Sequence, residues 1–438
     1  MTMTGPDELL VRRLRAAVAG EITAQASAAQ LSGRRLDRDD QRALARRLLD
    51  EQLERHAQDC LARSMPVLSQ DEEELLAQAV MDRLFQLGRM QPLIDDQELT
   101  NITANGYDRV FLEYPDGTRK PGPPVATSDD EMIEMLRDIG RRYGLSEREF
   151  NPGRPSLNLQ LPDGSRLFAV AWVCERPCLA IRRHRHLRVT LEDLERLGTL
   201  DLNLRCFLAA AVRSGQRIII CGPTGAGKTT LLRALASEIP SRERIITIET
   251  ELELGLDRFP DLHPNCVALE AREANVEGVG RVSPSDLVRM SLRMNPDRCI
   301  LGEVRGDEAV PLLNVMSQGN EGSMCTLHAD SSATVFNKLA LYAMQAPERL
   351  PVEATMMLAA AAIDLVVFIS YTRAGRFVSS VRQVTGADGP RVTTNELFRP
   401  GPEGRAVPAM SIPINLLDEL VAAGYDPSLH APTNGWRP

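Results

Sequence analysis

Residues 217–232, RIIICGPTGAGKTTLL, constrain this chain more than any other segment, because they join a strand to a helix through a glycine-rich turn. Arg217 to Cys221 is the β-branched run of a strand buried on both faces, as parallel sheets require. Thr229 to Ile239 has helical apolar spacing. Between them, Gly222-Pro223-Thr224-Gly225-Ala226-Gly227-Lys228-Thr229 fits the pattern G-x-x-x-x-G-K-[ST]. The glycines let the backbone curl until several N–H groups point at one spot. The helix N-terminus adds partial positive charge there, and Lys228 adds a full one. Such a cradle binds the phosphates of ATP or GTP, and Thr229 is placed to ligate the Mg²⁺ that bridges the β- and γ-phosphates. The expected nucleotide-binding set is therefore Gly222, Pro223, Thr224, Gly225, Ala226, Gly227, Lys228, Thr229 and Thr230.

At 438 residues the chain is too long for one core, and two to four domains are expected. A net charge of −9 and an aromatic content of 4% argue against bulk attraction to nucleic acid and leave little material for base stacking. The cysteines are scattered and form no C-x-x-C pair, so buried free thiols in a reducing compartment are expected rather than zinc or disulfides. The N-terminus lacks the apolar core of a signal peptide, and the greasiest stretch, Met356 to Ile369, is broken by Asp364 and is too short for a bilayer span. These features lead us to expect a cytoplasmic protein that meets a membrane only through partners.

Residues 1–88 read as a helical module, with one apolar stripe at Leu44, Leu48, Leu49 and Leu53 and another at Leu75, Leu76, Val80, Leu84 and Phe85. Residues 89–188 read as a small α/β domain. It has turns at Asn105-Gly106, Asp116-Gly117 and Asp163-Gly164, a loop at 121–124 and a helix over 129–143, and it ends in the basic run 182–188. Residues 189–375 alternate strand and helix as a parallel doubly wound sheet does, with strands expected at 217–221, 244–249, 298–302, 323–327 and 365–370. Residues 376–438 suggest a terminal hairpin (377–384 and 392–398), then a Pro/Gly-rich tail with one short helix near 414–423.

A phosphate loop alone neither orients water nor senses a γ-phosphate, so partners are expected at later strand ends. RIITIE ends in Glu249, followed by Glu251 and Glu253; Glu249 or Glu253 suits a general base, while Glu251 points away. RCILGE ends in Glu303 and has the form of a Walker B strand, whose carboxylate holds Mg²⁺ through water; Glu stands here for the commoner Asp, and its longer arm suits that role rather than direct ligation. The next strand ends at His328, where a donor reports the state of the γ-phosphate. Arg182 and Arg183, after the apolar strand 178–181, are candidate arginine fingers, with Arg166 a weaker one.

The segments LTNITANGYDRVFLE, LPDGSR, LAIRRH, VTLEDLERLG, GPTGAGKTTLLRAL, ITIETELEL, DLVRMSLRMNPDRCILGEVRGDEA and GSMCTLHAD, in this order, resemble the secretion or traffic ATPase superfamily of type II and type IV secretion. Within it they are most similar to the CpaF/TadA branch, which serves tight-adherence (Flp) pili. The resemblance spans about residues 93–370. It implies a RecA-like P-loop NTPase domain preceded by a small PAS-like α/β domain, assembled as a homo-hexamer on inner-membrane platform proteins at the cytoplasmic face. It also places Glu249 and Glu253 in an acidic box, Glu303 in Walker B, His328 in a histidine box, and Arg182 and Arg183 on phosphate-contacting arginines. Thr250 stands where many relatives carry Asp, and the strand holding Asn158 and Gln160 lacks an acid seen in some. The rival readings are a conjugative or effector secretion ATPase of the VirB type, a nucleic-acid motor, and a nucleotide-gated scaffold that scarcely turns over.

Overall fold

The computed structural model describes residues 7–31, 38–85, 87–114, 117–143, 150–161, 163–183, 188–272, 274, 278–372 and 375–430. His184 to Leu187 of the basic run, Asp116 of one expected turn and the last eight residues of the tail lie outside them. The chain divides into two compact units, Met1–Arg183 and His184–Pro438.

The first unit opens with three helices, α1 (Glu8–Leu31), α2 (Arg38–Ala62) and α3 (Gln70–Phe85). Their cores meet through Val11, Leu14, Val18, Leu48, Leu49, Leu53, Leu76 and Val80. Leu75 of the expected stripe on α3 faces solvent, because Leu76 and Val80 already set the buried line at i, i+4; the side chain of Phe85, also expected in it, lies outside the described residues. A short helix α4 (Gln91–Asp95) leads into six strands: β1 (Asn101–Asn105), β2 (Val110–Glu113), β3 (Arg119–Gly122), β4 (Ser156–Gln160), β5 (Arg166–Val170) and β6 (Cys178–Arg182). They form one antiparallel sheet in the order β3-β2-β1-β6-β5-β4. Residues 121–122, expected in a loop, pair instead with Val110 and Phe111 at the sheet edge, where a proline costs no ladder bond. Helix α5 (Asp129–Tyr143) starts at Ser128, whose Oγ accepts the Glu131 N–H at 3.1 Å. It lays Met132, Leu136 and Ile139 on one face of the sheet. Arg12 and Arg15 of α1 pair with Glu131 and Asp138 of α5, which ties the helical module to the small domain.

The second unit is built on a nine-stranded sheet. Its strands are β7 (Ile218–Cys221), β8 (Ile245–Glu249), β9 (Cys266–Glu270), β10 (Arg298–Val304), β11 (Met324–Leu327), β12 (Leu365–Thr372), β13 (Gly375–Asp388), β14 (Arg391–Pro400) and β15 (Ala406–Pro408). The order is β15-β14-β13-β12-β7-β11-β10-β8-β9, parallel from β12 to β9 and antiparallel beyond β12. Strand β9 was not foreseen; its half-buried CVALE is an edge strand without the continuous apolar run that marks its neighbours. The terminal hairpin, β13 and β14, continues this same sheet through β12. Alternate residues of β7 feed opposite cores. Ile218 and Ile220 meet α6 (Leu191–Arg196), α7 (Leu202–Arg213), α8 (Lys228–Ala236) and α13 (Ile414–Ala422). Ile219 and Cys221 meet α9 (Pro284–Ser291), α10 (Ala309–Ser317), α11 (Val335–Gln345) and α12 (Val352–Ala362).

Ionic clasps fix the register at the base of the parallel strands. Arg217 holds Asp364 in a two-pronged bridge at 2.7 and 2.8 Å, which aligns β7 with β12. Arg298, 2% exposed, places Nε 2.5 Å from Glu243 and donates from Nη1 to the Val212 carbonyl at 2.8 Å. Removing that guanidinium strips partners from both acceptors. We expect Arg298→Ala to lower the unfolding free energy by about 3 kcal/mol, read as an earlier urea transition; a shift below about 1 kcal/mol would assign the clasp no net stabilising role.

Candidate active site

The site forms where β7, β8, β10 and β11 end on one side of the sheet, which parallel pairing forces on all four. The chain leaves β7 at Gly222, where a methyl group would collide with the Ile369 carbonyl of neighbouring β12. Gly225 and Gly227 take left-handed φ values of 75° and 97°, and Gly227 is the N-cap of α8. Lys228 and Thr229 therefore occupy the first turn of that helix, with its unpaired N–H groups.

Lys228 is buried, and its Nζ lies 3.1 Å from the Gly222 carbonyl, 3.1 Å from the Pro223 carbonyl and 3.1 Å from His328 Nδ1. Three donors of an ammonium thus meet three acceptors. A lysine offers no acceptor when charged, so Nδ1 must accept and the imidazole proton sits on Nε2. That nitrogen lies 2.6 Å from Glu303 Oε1, within ion-pair distance but not aligned for a hydrogen bond, and Oε1 is left without a partner, while Arg305 holds Glu303 Oε2 at 2.5 Å. Burial, followed by the Lys228 charge, pushes the His328 pKa down and keeps the ring neutral. Burial also lowers the pKa of Lys228, while the Glu303 carboxylate acts in the opposite sense. The strand order has brought Lys228, His328 and Glu303, which lie far apart in sequence, into one cluster in which Lys228 bonds His328 and His328 stands against Glu303.

Beside it lies a cleft of about 370 Å³ lined by Thr229, Glu249, Thr250, Glu251, Glu253, Gly302, Glu303 and Arg305. Glu251 lines this cleft, contrary to expectation: β8 stops at Glu249, so strand alternation no longer governs the next residues. Glu249 is buried and folds that turn, its Oε2 accepting the N–H groups of Glu253 at 2.8 Å and Leu254 at 2.9 Å. From the other side Arg233, on α8, donates to the carbonyls of Glu253 and Leu254. Two residues, Glu253 and Leu254, are clamped between the last residue of β8 and the phosphate-loop helix. Gly302 makes room, since a methyl there would lie 2.9 Å from Glu249 Cγ. The other oxygen, Oε1, is buried without a hydrogen-bond partner, and burial pushes the carboxyl pKa up to about 7 against the pull of the two N–H groups.

Among the described residues no group of three or more His, Cys, Asp or Glu side chains makes a self-sufficient metal site. The Thr229 hydroxyl and the cleft carboxylates are hard oxygen donors, a set that fits Mg²⁺ when phosphates supply the remaining ligands. Arg305 holds Glu303 Oε2, while Oε1, 2.6 Å from His328 Nε2, is buried without a hydrogen-bond partner and so keeps a lone pair for a cation or its water. Arg182 ends β6 with an exposed side chain. Arg183 is committed within its own unit, donating to the Asp96 carbonyl and lying 3.9 Å from Asp163. Sequence reasoning missed Arg233 and Arg376. The first sits at an ordinary helical position with no motif to mark it. The second, at the start of β13, donates to the Gly225 carbonyl at 2.8 Å and belongs to a segment assigned to the tail.

These features define a class: a P-loop nucleotide-binding domain whose lysine is gathered with a strand-end histidine and carboxylate. A family model described as type II/IV secretion system protein matches residues 86–373. The chain is 33% identical over 299 residues to a putative conjugal transfer protein of Mycobacterium tuberculosis, covering 66% of this chain and 81% of that one. It is 33% identical over 328 residues to the type IV secretion system protein VirB11 of Brucella suis, covering 68% and 89%. Among solved structures, the Brucella suis VirB11 ATPase in complex with sulphate is 30% identical, with coverages of 69% and 97% and a TM-score of 0.36. The Legionella pneumophila ATPase DotB is 18% identical, with coverages of 67% and 79% and a TM-score of 0.50, a likeness of fold alone. The chain belongs to the type II/IV secretion system protein family.

The folded Glu249 carboxyl keeps its proton up to about pH 7, whereas an unfolded one releases it near 4.5. Protonation therefore favours folding: this contribution is complete below about pH 4.5 and is lost as the pH rises through about 7. Between roughly pH 5 and pH 8 the wild type should lose stability relative to Glu249→Gln, measured by urea denaturation of both; parallel pH profiles would contradict the burial of an ionisable Glu249.

Proposed function

We propose that this chain hydrolyses ATP to drive a secretion or pilus-assembly machine. The observation that carries the proposal is the cluster at the strand ends, where Lys228 bonds His328 and the His328 ring stands 2.6 Å from Glu303. In the structure, Lys228 spends its three donors on Gly222, Pro223 and His328, acceptors that stand in for phosphate oxygens. A triphosphate seated on the loop N–H groups offers stronger, charged acceptors. As Lys228 turns to them, His328 Nδ1 loses its donor, and the ring is free to change tautomer or turn toward the γ-phosphate. His328 thus couples phosphate occupancy to Glu303, the sensing role expected of it. Thr229 and Glu303 hold Mg²⁺, which when bound neutralises charge on the β- and γ-phosphates. Glu303 and an acidic-box carboxylate orient the attacking water. Glu253 lies on the cleft wall, while Glu249 holds its loop and has a pKa near that of a working base. Arg182, whose side chain is exposed, fits the arginine-finger role better than Arg183, which is tied to Asp96 and Asp163.

The order of sequence boxes favours the CpaF/TadA branch, hence a homo-hexamer on inner-membrane platform proteins that assembles Flp pili. No described helix is long and apolar enough to cross a membrane. The relatives named VirB11 and conjugal transfer protein favour the second reading, a VirB-type secretion ATPase. Neighbouring prepilin genes would support the first and conjugation genes the second.

Lys228→Ala should abolish nucleotide binding. Glu303→Gln should keep it but lower steady-state phosphate release by roughly a hundredfold or more. A purified Glu303→Gln protein that turns over at the wild-type rate would overturn the assignment.

A further inference from the structure

The catalytic groups at the strand ends of this sheet lie to one side of the phosphate loop. β7, which feeds the loop, has β11 as one neighbour and β12 as the other. His328 follows β11, Glu303 lies on β10 beyond it, and the acidic turn follows β8 farther still. A triphosphate whose γ-phosphate meets these groups must run its α-phosphate and nucleoside the other way, over the end of β12. There the structure presents Tyr371 and Arg376, neither of which the hydrolytic chemistry uses. They are direct cross-strand partners in the β12/β13 ladder, so the backbone fixes their spacing. The Arg376 guanidinium lies 4.6 Å from the Tyr371 ring centroid, within cation–π range. Its Nε donates to the Gly225 carbonyl at 2.8 Å, and its Cδ would lie 3.5 Å from a methyl on Gly227. The pair is thereby fastened to the phosphate loop itself. Tyr371 nevertheless remains 53% exposed, an unusual state for a ring held so firmly.

We propose that Tyr371 is the stacking platform for the nucleobase, and that Arg376 positions it by bracing the ring against the loop. The proposal deepens the nucleotide-binding reading given above and rests on it. An aromatic face recognises any base, and a purine more strongly than a pyrimidine because it covers more of the ring. The ligand class is therefore a purine nucleoside triphosphate, discriminated through area rather than through hydrogen bonds. Because the platform lies on a paired ladder, it is preorganised and pays little ordering entropy on binding.

The test is equilibrium binding of ATP, CTP and inorganic tripolyphosphate, each with Mg²⁺, to the wild type, Tyr371→Ala and Tyr371→Phe. Tripolyphosphate occupies the loop without a base, so it reports on the loop alone. Tyr371→Ala should weaken ATP roughly five- to hundredfold, the range of one lost base-stacking contact. It should weaken tripolyphosphate less than about twofold and narrow the preference for ATP over CTP. Tyr371→Phe, which keeps the ring, should bind all three as the wild type does. Equal weakening of ATP and tripolyphosphate in Tyr371→Ala would mean damage to the loop, and unchanged ATP affinity would mean that the base lies elsewhere; either overturns the proposal. A wild type that binds tripolyphosphate but shows no gain from the base also overturns it. A wild type that binds neither ligand would instead remove the nucleotide reading beneath it.

Discussion

A full positive charge held out of water at the top of a parallel sheet is the constraint on which this site depends. Burying Lys228 is tolerable only because each of its three N–H donors finds an acceptor. Two of them are carbonyls of the phosphate loop, so the loop must curl as its glycines allow. The third is His328, so β11 must lie beside β7. His328 in turn faces Glu303, which requires β10 to be next in line. One ammonium therefore fixes loop shape, strand order and the tautomer of a histidine together. The same arrangement leaves the charge ready for a ligand, because its partners are neutral and weaker than phosphate.

Around this centre, cations and carboxylates serve as rivets more than as surface charge. Arg233 and Glu249 grip the same two residues, Arg233 by their carbonyls and Glu249 by their N–H groups, joining the helix that follows the phosphate loop to the acidic turn. Glu308 secures the chain after Glu303 by accepting the Arg305 and Gly306 N–H groups. Each contact fixes backbone near the cleft, which is how a scaffold holds catalytic side chains to a fraction of an ångström.

Much of this was legible in the sequence. The strand, loop and helix around 218–236 could be read because a buried parallel strand announces itself as a continuous β-branched run. Strand ends gave Glu249, Glu303 and His328, since parallel strands deliver their last residues to one edge. Their mutual geometry was not legible, because the order β7-β11-β10-β8 is a property of long-range pairing. Glu251 was misplaced because strand alternation was carried one turn too far. Arg233 and Arg376 escaped notice for a related reason: each acts through a partner remote in sequence, Leu254 for one and Gly225 for the other. Arginines on helices and hairpins look alike in sequence until the fold shows what they touch and which, like Arg233, it buries.

The central claim is that Lys228 waits on substitutes for phosphate and links the ligand to Glu303 through His328. A structure of the full chain with Mg²⁺ and a non-hydrolysable ATP analogue tests it most directly. The account requires phosphate oxygens on the N–H groups of Gly225 to Thr229, Lys228 Nζ moved from His328 to the β- and γ-phosphates, and His328 turned from its present contact with Lys228. Lys228 still bonded to His328 and to the Gly222 and Pro223 carbonyls, with the phosphates seated elsewhere, would contradict it.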